Sequence, residues 1–247
     1  MAKELRLGQL DFGVRDNCLA IAGIWCKLTL EETIFTYPID KMANWLFSKT
    51  EANKNLRVLE LRKQTESITA AQNAYSARNA ATAGSYSRKW TSRIGQLATQ
   101  NFDAPEIQEW DARRKIKGKG RVQNDWVELS KKRAKKGADL YDSAIIYGLQ
   151  QCGVAVHNSI RIGWDALASN ILAGRCYVIS AVDGAALKHT MAIYRLEAAD
   201  DEGYQYIFFD PNHYEVWCSD TELANYLSSA KSEYTVTTAL LSEVRKI

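Results

Sequence analysis

An α+β fold, with helices first and an antiparallel sheet last, follows from three features of this 247-residue sequence. Residues 1–150 carry mainly helical patterning. The last third changes to short runs rich in β-branched and aromatic residues. Gly184, the segment 199–203 and the turn Asp210-Pro211-Asn212 separate those runs. Helical runs followed by strand runs mark an α+β domain rather than an alternating α/β one.

Taken in order, residues 17–30 are mostly apolar and helical, with Asp16 or Asn17 as cap. Residues 38–47 read as a short helix. The stretch 51–148 is rich in Ala, Lys, Arg, Gln and Glu, and Val58, Leu61 and Ile68 mark an amphipathic face. Residues 141–151 read as a buried helix. Strands are expected at 154–160, 176–182, 190–196, 204–209, 214–218 and 234–244. Helices are expected at 164–172 and 221–229, the second capped by Ser219 or Asp220.

Apolar residues are 46% of the chain and charged residues 25%, as in ordinary globular proteins. No apolar run approaches the roughly 18 residues of a membrane span. Charges run through Met1–Leu10, so no secretory signal is visible there, and export would use a route that does not read one. The five cysteines are odd in number and none makes a C-x-x-C pair. That pattern suits neither a disulfide framework nor a zinc site, and the three histidines do not pair with cysteines at ligand spacing. The cysteines read as thiols in a reducing compartment, and no metal or cofactor is expected. The net charge of +3 is small, but basic residues cluster at 113–121 and 131–136. These runs read as a solvated helix face plus a loop rather than a nucleic-acid surface.

The chemistry-bearing candidates are Cys18, His189 and Asp210. Cys18 stands where the first helix begins, and the free amides and dipole of a helix N-terminus favour a thiolate. Its backbone N–H can also face a developing oxyanion. Cys26, two turns on, reads as a small buried hydrophobe. His189 opens a strand after the loop 184–188, and Asp210 ends the following aromatic run, Tyr206-Ile207-Phe208-Phe209-Asp210. If those strands pair as an antiparallel hairpin, base and orienting carboxylate meet at one sheet edge. Each residue alone has an ordinary structural reading; the three together can close a site. His157 reads as structural, and His213 as facing solvent or the sheet. Trp45, Trp90, Trp110, Trp126, Trp164 and Trp217 read as core or lobe-interface residues.

The segment Asn17-Cys18-Leu19-Ala20-Ile21-Ala22-Gly23-Ile24-Trp25 resembles the nucleophile helix of the YopT/AvrPphB-like family of bacterial effector cysteine proteases. In that family an aliphatic residue follows the cysteine by one turn and a tryptophan by two, as Ile21 and Trp25 do here. His189-Thr190-Met191-Ala192-Ile193 resembles the second family motif, and Phe208-Phe209-Asp210-Pro211-Asn212 the third. The resemblance covers about a quarter of the chain. It departs after the turn, where His213 and Tyr214 replace a frequent glycine, and before the cysteine, where Phe12 and Gly13 stand. Gln9, or else Asn17, then supplies the polar group of the oxyanion hole, with Gln9 preferred.

The resemblance implies a papain-like domain spanning 1–247. Residues 1–150 would form a mainly helical left lobe with a basic helical insert, and 151–247 an antiparallel β-sheet right lobe. Cys18 would be nucleophile, His189 base and Asp210 orienter. The implied function is a toxin or effector protease, secreted without a cleaved signal by a specialised bacterial system. It would act on a protein substrate in the cytoplasm of a target cell, with a cognate immunity protein or chaperone as partner. The same groups would serve a deamidase, a transglutaminase or a peptidoglycan amidase. A non-catalytic protein binding through its basic region is the remaining alternative.

Overall fold

The computed structural model describes residues 2–31, 59–90, 139–183 and 186–247. The helix expected at 38–47, the two basic runs, and Trp45, Trp110 and Trp126 lie outside them. The chain divides into two compact units, one made of residues 1–76 and 145–247, the other of residues 77–144. In the second unit, residues 77–90 and 139–144 are helical. The first unit holds the sheet and every candidate site residue.

Among the described residues, the sheet is antiparallel throughout and has seven strands. They are β1 (Lys3–Arg6), β2 (Val154–Gly163), β3 (Arg175–Asp183), β4 (Ala186–Arg195), β5 (Tyr206–Asp210), β6 (Tyr214–Cys218) and β7 (Thr238–Lys246). Their spatial order is β1-β6-β5-β4-β3-β7-β2. Among the described residues, the helices that accompany it include α1 (Cys18–Leu30), α2 (Thr65–Trp90), α3 (residues 139–151), α4 (Leu167–Asn170) and α5 (Asp220–Tyr234). The mixed α+β class expected from the sequence is therefore present.

Period-two alternation gives the sheet two buried faces. Tyr177, Ile179, Met191, Ile193, Tyr206 and Phe208 join Leu223 and Leu227 of α5 and Leu167 of α4 in one core. The intervening residues face α1, where Trp25 stacks on Phe209 with ring centroids 5.3 Å apart and planes 8° from parallel. The helix α1 is apolar around its whole circumference, with Leu19 to Cys26 all buried, as a helix enclosed on every side must be. Two glycines allow close approach here. A Cβ on Gly23 would lie 2.5 Å from Cys152 Sγ, and one on Gly148 would lie 2.9 Å from Leu19 Cδ2.

Several element boundaries differ from expectation. Strand β4 starts at Ala186, so residues 186–188 continue the β3–β4 ladder instead of forming a loop. The helix expected at 164–172 is a short 3-10 turn, Trp164–Ala166, followed by α4. Helix α5 runs on to Tyr234, and the strand expected from 234 begins at Thr238. Thr235 closes α5 in the left-handed conformation, at φ 50°, so a non-glycine residue makes the stop.

Candidate active site

The β4–β5 register places Ala192 opposite Phe209. Residue 191 then falls beside 210, and His189, two residues along, shares its face of the sheet and lies diagonal to Asp210. From there Asp210 Oδ1 lies 2.8 Å from His189 Nε2. A carboxylate only accepts, so the ring carries its proton on Nε2 and turns Nδ1 the other way. Both side chains are deeply buried, His189 at 2% exposure and Asp210 at 1%. Two further groups fix the carboxylate. The Asn212 backbone N–H donates to Oδ1 at 2.9 Å, and the Tyr234 hydroxyl donates to Oδ2 at 3.0 Å.

Cys18 is the first residue of α1 and is half-buried. It interacts with the His189 ring. Burial alone would lower the affinity of that ring for a proton. Hydrogen bonding to Asp210 and to Cys18, with the charge of both, outweighs burial and raises the pKa to about 9. At neutral pH the imidazole therefore holds its proton. The structure brings Cys18, His189 and Asp210 together.

Gln9 also arrives at this edge. The Leu7 N–H donates to the His213 carbonyl at 2.7 Å, which lays residues 7–9 against the turn after β5. Gln9 Oε1 accepts from the Asn17 N–H at 2.8 Å, and Nε2 donates to Asn212 Oδ1 at 2.5 Å. These two bonds fix which end of the amide is which, and the second N–H of Nε2 stays available. Asn17 occupies the N-cap position without a side-chain capping bond, and Asp16 before it has φ 54°. The first turn of α1 thus leaves backbone N–H groups to other partners.

Tyr234 was not among the residues that sequence reasoning singled out. Its ring stacks on His189, with centroids 4.2 Å apart and planes 23° from parallel. Burial and the nearby Asp210 push its hydroxyl pKa well up, so it remains a donor. The cap at Ser219, closed into a capping box by Glu222, marks where α5 begins; nothing local shows that it reaches residue 234. His213 is half-exposed and bonds Glu233 Oε1 at 2.7 Å. His157 is exposed on β2, so it has no place in the core. Cys26 is fully buried, as are Trp164 and Trp217 nearly so. Among the described residues no group of His, Cys, Asp and Glu is arranged to hold a metal ion.

No family model matches the chain, and no curated protein matches it. Among solved structures, it is similar to the crystal structure of the Pseudomonas avirulence protein AvrPphB, with a TM-score of 0.47 and 11% identity. The match spans 95% of this chain and 94% of that one. Among the described residues, no helix is long and apolar enough to cross a membrane.

Proposed function

We propose that the chain is a papain-like cysteine protease of the effector or toxin type, acting on a protein substrate. The observation that carries this reading is the half-buried Cys18 at a helix N-terminus, interacting with an imidazole that is hydrogen-bonded to a buried carboxylate. That arrangement fits nucleophile, base and orienter. The thiolate of Cys18 attacks a substrate carbonyl carbon and the carbonyl π pair moves to oxygen. The Cys18 N–H and the spare N–H of Gln9 face that oxyanion. Protonated His189 gives its Nδ1 proton to the departing amine as the C–N bond breaks, leaving a thioester. Neutral His189 then takes a proton from water, whose hydroxide displaces the thiolate. Asp210 holds the Nε2–H throughout.

In this reading residues 1–247 work as one catalytic domain and the middle of the chain is an insert. The protein leaves its cell by a specialised system, and a cognate immunity protein or chaperone attends it. Exposure of target-cell extract to wild type and to Cys18→Ala, followed by mass spectrometry of new protein N-termini, tests the reaction. New termini confined to wild type support the protease. Identical termini in both samples sink it, and a one-dalton-scale gain on glutamine without cleavage assigns a deamidase instead.

A further inference from the structure

The geometry points to Tyr234 as a positioning residue that holds the Asp210–His189 pair in its working orientation through both its ring and its hydroxyl. This inference rests on the reading of Cys18 and His189 as a catalytic pair.

Three observations carry it. First, the phenol makes two different contacts with the pair at once. Its ring covers the imidazole at 4.2 Å, and its hydroxyl donates to Asp210 Oδ2 at 3.0 Å. A purely structural tyrosine needs only one hydrogen-bond partner and a packing surface; it has no reason to address both members of one ion pair. Second, the hydroxyl is itself held. Asn212 Nδ2 donates to its oxygen at 3.3 Å, and the Asn212 Oδ1 accepts from Gln9. An unbroken series of hydrogen bonds therefore runs from Gln9 through Asn212, Tyr234 and Asp210 to His189. Third, Oδ1 of Asp210 is already shared between His189 and the Asn212 N–H, so only Tyr234 among the described residues restrains Oδ2. Without it the carboxylate can rotate about its Cβ–Cγ bond and draw Oδ1 off the ring.

The charged and titratable groups that face the imidazole are Asp210 from β5, Cys18 from α1 and Tyr234 from α5. Around the Tyr234 hydroxyl stand Asp210 and Glu233, the latter already bonded to His213. No other titratable group has to be invoked to move the pair.

The test reads the pH profile of Cys18 alkylation by iodoacetamide, located by mass spectrometry, and needs no substrate. Wild type is compared with Tyr234→Phe, Asn212→Ala and His189→Gln, each checked for folding by circular dichroism. The high-pH limb of the wild-type profile reports loss of the imidazolium proton. In Tyr234→Phe, which keeps the ring, that limb moves down by about one pH unit. In Asn212→Ala, which keeps Tyr234 and removes only the side chain holding its oxygen, the limb moves the same way by less. Profiles superimposable on wild type in both variants overturn the inference. If His189→Gln also matches wild type, the catalytic pair itself is refuted, so the two failures are told apart.

Discussion

Trp25 and Glu215 meet across the interior: the indole N–H donates to Glu215 Oε2 at 2.8 Å, with both residues buried. The same indole stacks on Phe209, the neighbour of Asp210. One side chain, two turns along from Cys18, thereby keys α1 to β5, which ends in Asp210, and to β6. Replacing Trp25 by Phe keeps an aromatic face and removes the donor from a buried carboxylate. The unfolding free energy should drop by about 2 kcal/mol in urea titrations. An unchanged midpoint would show that the bond contributes nothing to seating α1.

Loss of the thiol should abolish turnover without weakening the fold. Cys18 is half-buried at a helix start, so Cys18→Ala removes little packing. Peptide-bond cleavage should fall by at least about a thousandfold, while the melting temperature stays within about 2 °C. Retained cleavage would exclude Cys18 as nucleophile.

In the proposed mechanism the Gln9 amide serves the oxyanion rather than the thiol. In Gln9→Ala, turnover should fall by about 10- to 1000-fold. The rate of Cys18 alkylation at neutral pH should change less than about threefold, because Gln9 reaches the imidazole only at a distance, through Asn212, Tyr234 and Asp210. Equal losses in both assays would place Gln9 in charge of the thiol instead.

Stability should fall as pH rises through the alkaline neutral range. Folding raises the pKa of His189 from its ordinary 6.5 to about 9. A group raised on folding contributes its full stabilisation below the unfolded value and loses it as pH climbs through the folded one. The unfolding free energy therefore declines between those two values, by on the order of 3 kcal/mol. The buried thiols of Cys152 and Cys218, each pushed up to about 12 by burial, add their own decline only above the ordinary thiol value of 9. Urea titrations across this range, on wild type and His189→Gln, check the assignment; a flat wild-type response would refute it.

Gly23 is set by contact rather than by helix propensity. An alanine there would place its Cβ 2.5 Å from Cys152 Sγ and 2.9 Å from Cys152 Cβ. Gly23→Ala should destabilise by about 1–3 kcal/mol despite the better helix former. Adding Cys152→Ala should restore part of the loss, since the sulfur is the nearer atom. A stabilised single variant would contradict the packing.

Much of this site was visible in the order of residues, because its parts sit at ends of elements. Cys18 opens a helix, and Asp210 closes an aromatic strand just before a proline turn, both local signals. His189 was legible as a neighbour of Asp210 through hairpin pairing, although β4 begins three residues earlier. Tyr234 was hidden. The run Tyr234-Thr235-Val236-Thr237-Thr238 has strand composition, and Thr235 takes a left-handed backbone where glycine would have announced the helix end. The short strand β1 was also missed. Its Lys3-Glu4-Leu5-Arg6 has too much charge for a strand pattern, and its pairing with β6 sets it at the sheet edge, where charge is tolerated.

The strand β7 comes last in the chain yet lies between β3 and β2, away from either margin of the sheet. Assembly by the ribosome cannot follow spatial order, because a gap must wait for its filler. Until that insertion occurs, the greasy cylinder of α1 lacks part of its wall. Such distant pairing slows maturation and lengthens the interval in which a companion molecule would have to shield the nascent polypeptide from clumping.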